Sequence, residues 1–92
     1  MKNNNLIFTG VITKEGKSYT ALCLELDVAS QGDSISEAKD ALFEAATLYL
    51  ESAIESNLPY MRPVPADQDP RHNEKVVEVF PLKVDIAVKA YA

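Results

Sequence analysis

The sequence predicts an α+β domain: one sheet with a single long helix packed on one face. Three observations point there. Runs rich in β-branched and alternating apolar residues fill the chain ahead of Gln31. An unbroken helical pattern then runs from Ile35 to about Ser56. A last alternating run, Leu82 to Val88, follows. Strands clustered before a helix, with a strand after it, favour one antiparallel or mixed sheet. Ninety-two residues make one domain, residues 1–92. A chain of this size supports a thin, two-layer core.

Met1 to Asn5 is polar and is expected to be loose. Leu6 to Lys14 reads as a first strand, with Leu6, Phe8 and Ile12 on one face. Lys14-Glu15-Gly16-Lys17 is a hairpin turn, with Gly16 available for a left-handed position. Ser18 to Leu26 reads as a second strand. Tyr19, Ala21 and Cys23 face one way and Leu22, Leu24 and Leu26 the other, so both faces are partly apolar. Asp27 is a weak turn signal, and Val28 to Gln31 is a short third strand. The three strands suggest a meander.

Gln31-Gly32-Asp33-Ser34 is the hinge into the helix. Gly32 permits φ > 0 and a change of direction. Ser34 followed by Glu37 is a capping box: the serine oxygen accepts from the Glu37 N–H, and the glutamate reaches back to the Ser34 N–H. Asp33 and Glu37 add negative charge beside the positive end of the helix dipole. Ile35, Ala38, Leu42, Ala45, Ala46, Tyr49 and Ala53 form the expected buried stripe. Phe43, Leu50 and Ile54 widen the apolar arc to one side, where either the connector or a second subunit would cover them. Glu37, Asp40, Glu44, Glu51 and Glu55 fall within about 60° of one another, opposite the buried stripe. They make either a solvated face or a docking surface for a basic partner. Lys39 lies off that stripe.

The β-β-β-α core spans residues 6–57. Leu58 to Glu74 holds four prolines and reads as an extended connector, residues 58–74. The closing strand region, residues 75–88, divides into Lys75–Phe80 and Leu82–Val88, with Pro81 as the interruption. A partial ferredoxin-like β-β-β-α-β fold is the simplest arrangement with this order.

No catalytic set can be assembled, so the chain is not expected to be an enzyme. His72 is a lone histidine without a second ligand at zinc spacing. Cys23 is the only cysteine, sits within a strand and has no neighbouring base. The glycines form no phosphate loop. Glu25 and Asp27 would share a strand face and could approach a metal together, but rim solvation is the simpler reading. No cofactor or metal is expected. A single cysteine, no signal-like start and no apolar run of membrane length suit the cytoplasm. The net charge of −5 disfavours nucleic acid and suits a basic protein partner.

One segment carries a family resemblance. Ala21-Leu22-Cys23-Leu24-Glu25-Leu26-Asp27-Val28-Ala29-Ser30-Gln31-Gly32-Asp33-Ser34, followed by Glu37-Ala38, closely resembles the HicB-like antitoxin family. Members commonly read Ala-Leu-Cys-Pro-Glu-Leu-Asp-Val-x-Ser-Gln-Gly-Asp-Thr before a helix with Glu-Ala. Leu48 to Ala53 is similar to that family's helix end, and Leu82 to Val88 to its closing strand. Leu24 stands where the family usually has proline. The resemblance spans about Leu6 to Val88 and implies the β-β-β-α-β fold. It also implies a partner, a small basic HicA-like toxin that cleaves mRNA. Longer members append a helix-turn-helix or ribbon-helix-helix unit and bind DNA. None is visible after Val88, so sequence-specific DNA binding by this chain is not expected.

The functional expectation is therefore a HicB-type antitoxin that masks its toxin by occlusion and charge complementarity. Asp40, Glu44, Glu51 and Glu55 would steer the partner. The alternative is an orphan oligomeric HicB-like binding module with no toxin; a residual nuclease ranks last. A homodimer is expected, with Phe43, Leu50 and Ile54 as contacts and the final strand as a sheet edge in need of a partner.

Overall fold

The computed structural model describes residues 2–72 and 75–88. The chain runs β1 (Lys2–Glu15), β2 (Ser18–Cys23), β3 (Val28–Gly32), α1 (Ile35–Glu55), two 3₁₀ turns (Ala66–Gln68 and Pro70–His72) and β4 (Val76–Val88). The strands form one antiparallel sheet in the order β3-β2-β1-β4, and α1 packs on one face of it. The three-strand meander is present, and the closing strand adds beside β1.

The β1–β2 hairpin is as tight as its sequence suggests. Glu15 pairs with Ser18, and Gly16 takes φ 61° in the turn between them. At its other end β1 is longer than expected. It begins at Lys2, not Leu6, with Lys2 opposite Val88 and Asn4 opposite Ile86. Asparagines are poor strand formers, but β4 supplies a continuous hydrogen-bonding partner that outweighs local preference.

β2 ends earlier than expected, at Cys23 instead of Leu26. The Asp27 N–H donates to the Cys23 carbonyl at 2.9 Å, and Asp27 adopts φ 52°. The turn breaks the two-residue alternation. Leu26, expected opposite Cys23, joins it in the core on the helix side. Glu25 and Asp27 therefore do not share a strand face.

β4 is one strand through Pro81. Backbone direction alternates along β1: Thr9 points towards β2, since its carbonyl accepts from the Leu24 N–H at 3.0 Å. Gly10 and Phe8 then point towards β4, and Thr9–Pro81 is a pair without hydrogen bonds. The missing proline donor faces the outer edge, so no ladder bond is lost. The irregularity lies instead between Ile12 and Thr13, which pair with Glu78 and Val76 and leave Val77 as the extra residue.

Helix α1 starts and stops by recognisable chemistry. Ser34 Oγ accepts from the Glu37 N–H at 3.1 Å. The returning bond differs from the expected one: Glu37 Oε2 accepts from the Asp33 N–H at 2.9 Å, not from that of Ser34. Gly32 also serves differently. Its φ is not positive; a Cβ there would lie 2.5 Å from the Ala38 nitrogen, so glycine is required by close approach of the helix. At the far end Asn57 takes φ 55°. The Leu58 N–H bonds the Ala53 carbonyl and the Asn57 N–H that of Ile54, which is a Schellman closure.

The core lies between α1 and the sheet. Ala38, Leu42, Ala46, Leu50 and Ala53 are buried, while Ile35, Ala45 and Tyr49 are half-buried at its margin. Phe8, Ile12, Leu82 and Val84 meet them from β1 and β4. The connector is not wholly extended, given its two 3₁₀ turns, and it is fastened to the body. Tyr49 Oη donates to the Tyr60 carbonyl at 3.0 Å, and the Arg62 guanidinium lies 5.5 Å from the Tyr49 ring centre. The Arg62 and Val64 N–H groups donate to the carbonyls of Glu25 and Leu24.

Candidate functional site

The outer face of α1 is the most distinctive surface. Glu37, Asp40, Glu44, Glu51 and Glu55 are all exposed on it. Glu37 is partly occupied by its bond to the Asp33 N–H. The other four carry their charge to solvent without a capping duty. Lys39, α1's cation, is turned away: its ammonium pairs with the Glu78 carboxylate and sits 4.8 Å from the Phe80 ring centre. The stripe is thus not neutralised from within the helix.

Apolar residues bracket it. By helical angle, Leu48 flanks the acids on one side and Phe43 and Ile54 on the other. Leu48 is 62% exposed, Phe43 46% and Ile54 36%. Leu50 does not belong with them. It was expected on the exposed flank as a subunit contact, but it is fully buried between α1 and the sheet. Leu50 is one turn from both Ala46 and Ala53, so it points inward with them; a wider buried arc than the alanine stripe suggested accounts for the difference. The sequence reading missed Leu48 as a surface residue. Its signal was present, since Leu48 lies four residues after Glu44 and three before Glu51, on the polar side of the helix.

The hinge residues Gly32, Asp33, Ser34 and Glu37 come together as a structural unit at the start of α1, with their polar groups used within the unit. Glu25 has a structural task as well. Its carboxylate accepts from the Thr9 N–H at 2.7 Å and the Thr9 hydroxyl at 2.9 Å, where β2 has already left the sheet. Asp27 is exposed in the turn. Burial pushes the Cys23 thiol up to about 11, which makes it a poor nucleophile at neutral pH. His72 is exposed beside the Asp69–Arg71 pair, in which the guanidinium holds the Asp69 carboxyl below its ordinary value. Among the described residues, no group of three or more His, Cys, Asp or Glu side chains is placed to hold a metal ion. Among the same residues, no helix is long and apolar enough to cross a membrane.

What this surface can do is recognition. Four unneutralised carboxylates attract a cationic surface at long range, and flanking apolar side chains supply contact area once it arrives. Comparison with known proteins adds no assignment: no family model matches the chain, and neither the curated proteins nor the solved structures yield a match.

Proposed function

We propose that this chain is a HicB-type antitoxin domain that binds and masks a basic, HicA-like RNA-cleaving toxin. The observation that carries the reading is the acidic face of α1, exposed, free of internal cations and bracketed by exposed Leu48, Phe43 and Ile54. The resemblance of Ala21–Ser34 to the family supports it, as does the β3-β2-β1-β4 order with one helix, which suits a partial ferredoxin-like β-β-β-α-β fold. The mechanism is occlusion. Asp40, Glu44, Glu51 and Glu55 steer the toxin's cationic RNA-binding surface onto the helix, and the apolar rim holds it there. The chain contributes no chemistry and acts in the cytoplasm.

The test is the association rate with a short basic protein encoded beside this chain, measured at two salt concentrations. Wild type should associate faster at low salt and suppress RNA cleavage. Changing Asp40, Glu44, Glu51 and Glu55 together to glutamine should slow association and flatten its salt dependence. Equal rates for both chains at both salts would reduce the stripe to a solvated face. The orphan-module reading would be preferred if no such neighbouring protein binds.

A further inference from the structure

We infer that the outer edge of β3 is the docking site for an extended, cation-bearing segment of the partner protein, which adds to the sheet as a further strand. The inference rests on the basic-partner reading above and names the part of the partner that binds. β3 stands last in the strand order, with β2 on one side, and β2 and α1 are the elements packed against it. The Leu24 N–H donates to the Thr9 carbonyl on the β1 side, whereas the Cys23 carbonyl accepts from Asp27 on the β3 side. By alternation Cys23, Ala21 and Tyr19 point their backbone groups at β3, where they pair with Val28, Ser30 and Gly32. Ala29 and Gln31 therefore turn their N–H and C=O groups away from the sheet. Both residues are exposed, and among the described residues no other hydrogen bond reaches their backbones. The open run is bounded at both ends: the Asp27 N–H is used in the turn, and Glu37 takes the Asp33 N–H.

The two outermost strands are unlike. β4 is protected: Pro81 lacks a donor on its outer edge, Val77 is a bulge, and Lys83 and Asp85 are exposed along it. β3 carries no proline and no charge from Val28 to Gly32. Its surroundings select the occupant. Residues 18–38 contain no lysine or arginine, and Asp27 and Asp33 stand exposed at the two ends of the edge. A second copy is disfavoured: two-fold pairing through Ala29 and Gln31 turns about Ser30 and sets Asp27 of one copy opposite Asp33 of the other. A strand with cations at those two positions meets opposite charge instead. It also meets apolar surface. Lys39 reaches across to β4, so the opposite flank of α1, with half-buried Ala41 and Ala45 and exposed Leu48, overhangs β3.

The test uses the full chain with the short basic protein encoded beside it. Ala29→Pro removes one outward donor and leaves the β2–β3 ladder bonds in place. It should weaken binding by about tenfold or more with an unchanged far-ultraviolet circular dichroism spectrum. Ala29→Val keeps the donor and should bind within about twofold of wild type. If Ala29→Pro fails to fold, site-resolved hydrogen exchange on wild type decides. The Ala29 and Gln31 amides should slow by about tenfold or more in the complex, and by more than the Ser30 amide, which β2 already holds. A protein that binds but leaves these amides unchanged, a folded Ala29→Pro chain that binds as wild type does, or an Ala29→Val chain as weak as Ala29→Pro would each overturn this inference alone. A basic neighbour that does not bind at all would overturn the function proposed above and this inference with it.

Discussion

Gly32 and Cys23 show how single residues are held by their surroundings. A Cβ at position 32 would meet the Ala38 nitrogen and the Glu37 carbonyl carbon, both backbone atoms that cannot swing aside. Gly32→Ala should cost about 1–3 kcal/mol, read from urea denaturation, although its φ suits any residue. Cys23 gives a pH signature. The folded chain binds the thiol proton more tightly than the unfolded chain, whose thiol titrates near 9, because burial disfavours the thiolate. Its contribution is fully present below pH 9 and is lost as pH rises through about 11. The stability difference between wild type and Cys23→Ala should therefore shrink by roughly 2–3 kcal/mol between pH 8 and pH 11. A constant difference would mean that the thiol is not shielded.

At the scale of elements, α1 has two positions where local chemistry and packing disagree. Thr47 Oγ1 is buried without a hydrogen-bond partner. Thr47→Val keeps the shape and removes the unsatisfied hydroxyl, so it should stabilise the chain by about 1 kcal/mol in thermal unfolding. Asn57 closes the helix in a left-handed conformation, which glycine adopts without steric cost. Asn57→Gly should be neutral within about 0.5 kcal/mol, while Asn57→Val should destabilise by about 1–2 kcal/mol. Leu50→Ala should cost about 2–5 kcal/mol because it opens a cavity in the core. Phe43→Ser, at an exposed site, should stay within about 0.5 kcal/mol. Equal effects at residues 43 and 50 would contradict the burial difference between them.

For the whole molecule, the decisive property is which sheet edges are open. Pro81→Thr restores a donor on the outer edge of β4 and removes no ladder bond, so the stability of the chain should be nearly unchanged. With that edge able to pair, sedimentation should show larger, concentration-dependent species than wild type forms at the same concentration. A Pro81→Thr chain with the wild-type sedimentation profile would mean that Lys83, Asp85 and the bulge suffice to protect that edge.

Local signals in the sequence determined the element order, the Gly16 turn, the Ser34 cap and the length of α1. Each depends on neighbours within about four residues: a positive φ, a side chain reaching the next turn, or a repeating apolar stripe. The acidic face was legible for the same reason, because helical periodicity alone places Asp40, Glu44, Glu51 and Glu55 together. Only the tertiary structure decided where strands stop and which groups remain unpartnered. β1 extends to Lys2 because β4, more than seventy residues later, lies beside it. Glu25 is committed because Thr9 is left at the point where β2 turns away. Leu50 is inside and Leu48 outside because the sheet lies on one particular side of the helix. These outcomes depend on contacts between residues distant in the chain, whose loop-closure cost and pairing choice no short window of sequence contains.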